Sequence, residues 1–104
     1  MGVVKRSEVY WVKLDPTLGS EIRKTRPCLV VSPNDMNSKT PRVIIAPLTS
    51  KGSNAGCRPI VDFNNQVSKI LLDQIRSVDK TRLQQKIGSI SLSVWQPTLL
   101  EMFK

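Results

Sequence analysis

Two β-prone runs near the start of the chain, Val9–Leu14 and Pro27–Val31, enclose an eleven-residue polar segment, Asp15–Thr25. Val9, Tyr10, Trp11 and Val12 in the first run, and Leu29, Val30 and Val31 in the second, suit a pleated surface because they are branched or aromatic. Asp15, Pro16 and Gly19 punctuate the backbone between them. The local reading is strand, charged loop, strand. The loop carries Glu21, Arg23 and Lys24, with Arg26 at its far edge. A charged loop tied at both ends to buried strands is suited to handling a polyanion, and the remaining residues must supply the sheet that holds it.

The rest of the chain reads as short strands with little helix. Met1–Ser7 is basic and expected to fray. Glu8–Leu14 forms the first strand, with both faces covered because its apolar residues are nearly continuous. Arg26–Ser32 forms the second, and Pro27 forces Arg26 into extended backbone. Pro33–Pro41 is turn-rich, with room for a single helical turn from Asn34 or Asp35. Arg42–Leu48 is a third strand, in which Pro47 argues for an edge or a bulge. Gly52–Gly56 is a flexible loop and Arg58–Phe63 a fourth strand. Asn64–Asn65 marks a hairpin turn. Ser68–Leu72 and Gln74–Val78, separated by Asp73, are either one long bent strand or two paired ones. Asp79 caps a helical turn over Asp79–Leu83, and Lys86–Ile90 is the last strand. Ser93–Phe103 reads as a helix, with Ser93 and Gln96 forming a capping box and Pro97 in the first turn. Val94, Leu99, Leu100, Met102 and Phe103 give it an apolar surface that must cover a sheet or a partner. The pattern predicts a mainly β (α+β) fold, a small and strongly bent antiparallel sheet or barrel with a C-terminal helix. A length of 104 residues suits a single domain, 1–104.

Composition narrows the chemistry. Sixteen basic residues against eight acidic give a net charge of +8, spread along the chain rather than gathered in a tail. A folded domain with a basic surface points to an anionic partner. No histidine is present. That argues against a conventional zinc site and excludes a His-based triad, so acid–base work falls to Glu, Asp, Lys, Tyr, Cys or water. Two cysteines are too few for a disulfide framework, and Cys28, inside an apolar run, reads as a small buried hydrophobe. No P-loop, dinucleotide-binding glycine motif, H-E-x-x-H or Cys-x-x-Cys occurs. No cofactor is expected. The N-terminal MGVVKRSEV lacks an apolar signal-peptide core, and no run approaches membrane-spanning length, so a cytoplasmic location is the expectation.

Several residues can carry function. Glu21 and Arg26 could straddle a phosphate, since a guanidinium matches phosphate oxygens through its planar fork; an ordinary surface ion pair is the simpler account of the same two residues. Thr49, Ser50 and Lys51 form a hydroxyl–hydroxyl–cation set at a strand exit, although a turn with a solvated lysine is the commoner arrangement. Asp73, Gln74 and Arg76 put polar groups beside an apolar strand. There Gln74 could read a base edge and Asp73 could accept from a base or hold an arginine, or the three could be one exposed strand face. Tyr10, Trp11 and Trp95 could stack bases. At least one of Tyr10 and Trp11 belongs to the core, and Trp95 is expected to pack the helix.

These residues occur together in one family. From about Ser7 to Leu83 the chain resembles the MazF/PemK (Kid) toxins of toxin–antitoxin modules. The resemblance rests on VYWVKLDPTLGSE, the Arg26–Pro27 pair, APLTS at Ala46–Ser50 and LLDQIRSVDK at Leu71–Lys80. Each piece alone is weak, but their order and spacing together are specific. It implies a compact SH3-like barrel with a C-terminal helix, forming a two-fold homodimer. It also implies a metal-independent endoribonuclease that cuts single-stranded RNA, often messenger RNA, leaving a 2′,3′-cyclic phosphate and a 5′-hydroxyl. The implied partner is an antitoxin whose acidic segment occupies the RNA groove. Residue by residue, the family's catalytic arginine falls on Arg26, its glutamate on Glu21, its threonine on Thr49 and its RNA-holding pair on Asp73 and Gln74. Ser20, Lys24, Ser50, Lys51 and Arg76 complete the expected RNA-binding set. One branch uses a loop histidine and an arginine two residues before the aspartate. Leu18 and Leu71 stand nearest those places here, so that branch's acid–base scheme does not transfer.

The expected mechanism makes Glu21 the base, Arg26 the phosphate clamp and proton donor, and Thr49 a donor to a non-bridging oxygen. Base specificity is expected in the loops Ser50–Gly56 and Asn64–Ser68. The competing expectation is a non-catalytic protein on the same barrel type, either a plain RNA-binding domain or a CcdB-like toxin directed at DNA gyrase.

Overall fold

The computed structural model describes residues 3–14, 25–52 and 54–104. Among them are seven strands: β1 (Glu8–Lys13), β2 (Thr25–Val30), β3 (Arg42–Thr49), β4 (Ile60–Phe63), β5 (Gln66–Ile70), β6 (Arg76–Asp79) and β7 (Leu83–Ser89). Two helices accompany them, α1 (Asn34–Lys39) and α2 (Leu92–Met102). The strands form one curled antiparallel sheet in the order β4-β5-β3-β2-β1-β7, with β6 also paired to β3. Among the described residues no helix is long and apolar enough to cross a membrane.

Strand alternation divides the core in two. Val9, Leu29, Ala46 and Leu48 point to one side, where they meet Ile70, Leu72, Ile90 and Trp95. Val12, Cys28, Val30, Val43, Ile45 and Val78 point to the other. Both faces of β2 and β3, and of β1 at Val9 and Val12, are therefore covered along much of their length, which explains their apolar runs. Trp95 is fully buried, and its Nε1 donates to Ser7 Oγ at 3.1 Å. A pocket emptied of a side chain this large would cost about 3–5 kcal/mol.

The N-terminal segment does not fray from residue 5 onwards. Lys5 N donates to Glu8 Oε1, Arg6 N to Asn34 Oδ1, and Ser7 N to Val30 O. Ile90 N in turn donates to Ser7 O. Ser7 has φ 76, a strained value for a residue with a side chain, held because its backbone and hydroxyl join β2, α2 and the end of β7.

Other expectations shift in the same way. Pro47 lies neither at an edge nor in a bulge. β3 pairs with β6 through Ile45 and with β5 from Leu48 onward. Pro47 sits in the gap between those ladders, and its carbonyl accepts from Leu71 N at 2.9 Å. A residue without an N–H fits there because no ladder bond is required of it. The two runs around Asp73 are two strands, but each pairs with β3 rather than with the other, and a 3₁₀ turn at Leu72–Gln74 makes the step between them. The helix after Pro33 runs six residues, longer than one turn. α2 begins at Leu92 with Ser91 as its cap, and no side chain caps it. Ser93 therefore lies inside the helix, and so does Pro97. The Asn64–Asn65 turn forms as expected, with φ 52 and 65, as does the Asp79 cap, whose Oδ1 accepts from Thr81 N at 2.9 Å.

Two stability predictions follow from these contacts. Gly88 has φ +156, and a Cβ there would meet Phe63 Cε1 and Cζ at 2.9 Å. Gly88→Ala is expected to cost about 1–3 kcal/mol, roughly 4–8 °C in Tm for each kcal/mol, measured by thermal unfolding. The second concerns Glu8, which is nearly buried in β1. Burial alone would raise its pKa, but bonds from Lys86, the Lys5 N–H and Tyr10 outweigh that and hold it below the ordinary 4.5. A depressed carboxyl stabilises the fold above the unfolded-state value and loses that contribution as pH falls through the folded one. Tm should therefore drop below about pH 4.5, and Glu8→Gln should flatten the drop; a Tm–pH curve unchanged by the substitution would remove Glu8 from the account.

Candidate functional site

Arg26 is the second residue of β2 and Thr49 the last of β3, so both stand where the central strands end. Cys28 pairs with Pro47 across the ladder. Continued two residues along each strand, that register brings Arg26 toward Thr49, and both line the same clefts. Val12 pairs with Arg26 on one flank and Lys69 with Thr49 on the other. Residues distant in sequence thus form one row across four strands, with a polar end that the core does not need.

Two clefts meet at this row. The first, of about 350 Å³, is lined by Leu14, Arg26, Pro47, Thr49, Lys51, Gly52, Arg58, Leu71 and Gln74. The second, of about 480 Å³, is lined by Trp11, Thr25, Arg26, Pro27, Leu48, Thr49, Ser50, Lys51, Gln66 and Ser68. Arg26, Thr49 and Lys51 belong to both, so the clefts form one groove passing over the strand ends. Among the described lining residues are three cations and no carboxylate, a lining that attracts an anion.

The local bonds prepare these groups. Thr49 Oγ1 accepts from Lys51 N at 3.1 Å, which leaves its own O–H to donate to a ligand oxygen. Lys69 Nζ donates to Gly52 O at 3.0 Å and ties down the loop after β3. Asp73 is gripped side-on by Arg58: Nε reaches Oδ1 at 3.0 Å and Nη2 reaches Oδ2 at 2.9 Å. These bonds hold the Asp73 carboxyl below its ordinary value. Asp73 is thus a poor proton acceptor near neutrality and serves to fasten the 3₁₀ turn carrying Gln74 to the loop carrying Arg58. Cys28, just behind Arg26, is inert: burial pushes its thiol up to about 12, although Arg26 and Arg76 pull the other way.

Of the residues singled out in the sequence, Arg26, Thr49, Ser50, Lys51 and Gln74 come together in the groove. Asp73 stands behind it through Arg58. Arg76 lies on β6 opposite Ile45 and lines neither cleft. Glu21, Ser20 and Lys24 lie outside the described residues. Arg58 was not foreseen as a site residue; the sequence reads it as the start of the fourth strand, which in the structure begins at Ile60. Trp11 is the aromatic that reaches the groove, whereas Trp95 is core and Tyr10 turns its hydroxyl to Glu8 Oε1 at 2.9 Å.

The class the structure defines is a small curled antiparallel half-barrel with a C-terminal helix and a cationic groove over its strand ends. The family model for PemK-like, MazF-like toxins of type II toxin–antitoxin systems matches residues 5–99, and the chain belongs to that family. Endoribonuclease EndoA of Bacillus subtilis (strain 168) is 37% identical over 91 residues, which span 82% of this chain and 78% of that protein. In fold, the chain matches MazF from Deinococcus radiodurans with a TM-score of 0.81 at 22% identity, covering 99% of this chain and 98% of that one. A MazE–MazF structure from the same organism matches with a TM-score of 0.80 at 22% identity, covering 99% and 97%. The SH3-like barrel with a C-terminal helix is therefore the fold of this chain.

Proposed function

We propose that this toxin is a metal-independent, sequence-specific endoribonuclease that cuts single-stranded RNA, messenger RNA foremost, to 2′,3′-cyclic phosphate and 5′-hydroxyl ends. The observation that carries the reading is the meeting of Arg26 and Thr49 across the ends of β2 and β3 in a groove lined by cations. The 37% identity to an endoribonuclease supports it. So does the chain's own chemistry. It has no histidine, so the imidazole that most often serves as base or metal ligand is not among its groups.

RNA brings its own nucleophile. The 2′-oxygen attacks the adjacent phosphorus, the bond to the 5′-oxygen breaks, and a proton must leave the first oxygen and reach the second. Arg26 holds the phosphate through its fork and hydrogen-bonds the departing 5′-oxygen, which takes a proton from solvent water as its bond to phosphorus breaks. Thr49 donates to a non-bridging oxygen where negative charge gathers. Glu21 takes the proton of the 2′-hydroxyl, because a guanidinium rarely gives up its own proton and so makes a poor base. Lys51 and Gln74 hold the flanking nucleotides.

The same groove is the seat of an acidic antitoxin segment, by analogy with the MazE–MazF pair. The active unit is a homodimer, and it works in the cytoplasm, where its substrate is. The deciding experiment is incubation with a long single-stranded RNA in EDTA, followed by mapping of the product ends. Discrete cuts with cyclic phosphate and 5′-hydroxyl ends are expected. Intact RNA would turn the reading toward a binding protein or a gyrase-directed toxin, to be tested by DNA supercoiling.

A further inference from the structure

Trp11 is 38% exposed while its strand neighbour Val12 and the other tryptophan, Trp95, are fully buried. Its exposure falls inside the second cleft. There it pairs across the ladder with Pro27, and Leu48 of β3 lines the same cleft. Trp11, Pro27 and Leu48 together give this cleft an apolar floor. Ser50, Ser68 and Gln66 stand around it as hydrogen-bonding groups, and Ser68 is nearly buried. This composition differs from that of the first cleft, where Arg26, Lys51 and Arg58 dominate.

We infer that the second cleft is a stacking subsite for one unpaired nucleobase, with Trp11 as its platform and Gln66 and Ser68 reading the base edge. An indole face stacks on any base, whereas an amide and a hydroxyl distinguish donor from acceptor edges. Arg26 and Thr49 line both clefts, so the stacked nucleotide adjoins the phosphate held there. Trp11 therefore sets affinity and register, and Gln66 sets which base is accepted. The inference rests on the ribonuclease reading for its ligand.

The test uses short single-stranded DNA of mixed sequence, which lacks the 2′-hydroxyl and is not consumed. The chain has two tryptophans, and Trp95 is buried, so emission quenched by DNA reports Trp11. Quenching is expected with the wild-type protein. Trp11→Ala should weaken DNA binding by about 5- to 150-fold, while Trp11→Phe keeps most of the affinity because a ring remains. Gln66→Ala should change the sequence at which RNA is cut. Wild-type protein that shows no quenching, or a Trp11→Ala variant that binds DNA as tightly and cuts the same sites, overturns the subsite. Protein that binds and quenches but leaves RNA intact discards the nuclease and upholds the subsite, so the two readings fail separately.

Discussion

Arg26→Ala is expected to lower RNA cleavage by at least about a thousandfold while the protein remains folded, because arginines that meet transition-state charge on phosphorus contribute on that scale. Arg26 is half-buried at the first turn-out of β2, beyond the close-packed Cys28, Leu29 and Val30. Its truncation leaves both apolar clusters intact, so Tm should move by only a few degrees. Arg26→Lys should recover little, since an ammonium is a point charge and cannot hold two phosphate oxygens in a fork. Cleavage rates, circular dichroism and affinity for uncleavable DNA together make the test. Near-wild-type cleavage by the folded alanine variant would remove Arg26 from the chemistry and with it the site.

The second large effect lies in the substrate. Replacing the ribose on the 5′ side of the cut with deoxyribose should abolish cleavage at that bond, by on the order of 10⁵-fold or more, the scale set by an intramolecular nucleophile held in line. Cuts elsewhere in the same RNA should persist, and affinity should change little, because phosphate and base contacts remain. Neither Cys28 nor Asp73 is available to replace the missing nucleophile. Cys28 is buried with its thiol pushed up to about 12, and Asp73 is committed to Arg58. Cleavage at the deoxy position would mean that water or a protein group attacks phosphorus, and the products would then lack the cyclic phosphate.

The sequence by itself determined the strands, the Asn64–Asn65 hairpin and the Asp79 cap, because these depend on residues within a few positions of one another. It also determined the anionic partner, through charge, and the family, through motifs in a fixed order. The row Arg26–Thr49 was within reach because both residues end recognisable strands. Tertiary structure alone decided how β3 divides its partners between β6 and β5, since pairing between distant strands leaves no local mark. It also turned a proline that reads as an edge signal into a residue of the sheet's interior. The N-terminal segment is anchored by bonds to β2, α1 and α2, none of them visible in a short basic stretch. Arg58 was invisible for the same reason: its partner lies fifteen residues away, and only the fold brings the guanidinium and the carboxylate together. The two tryptophans show the division most clearly. The same side chain packs the core at position 95 and lines the groove at position 11, because the alternation of β1 fixes only which face Trp11 takes. The strands that pack against that face fix whether it is covered.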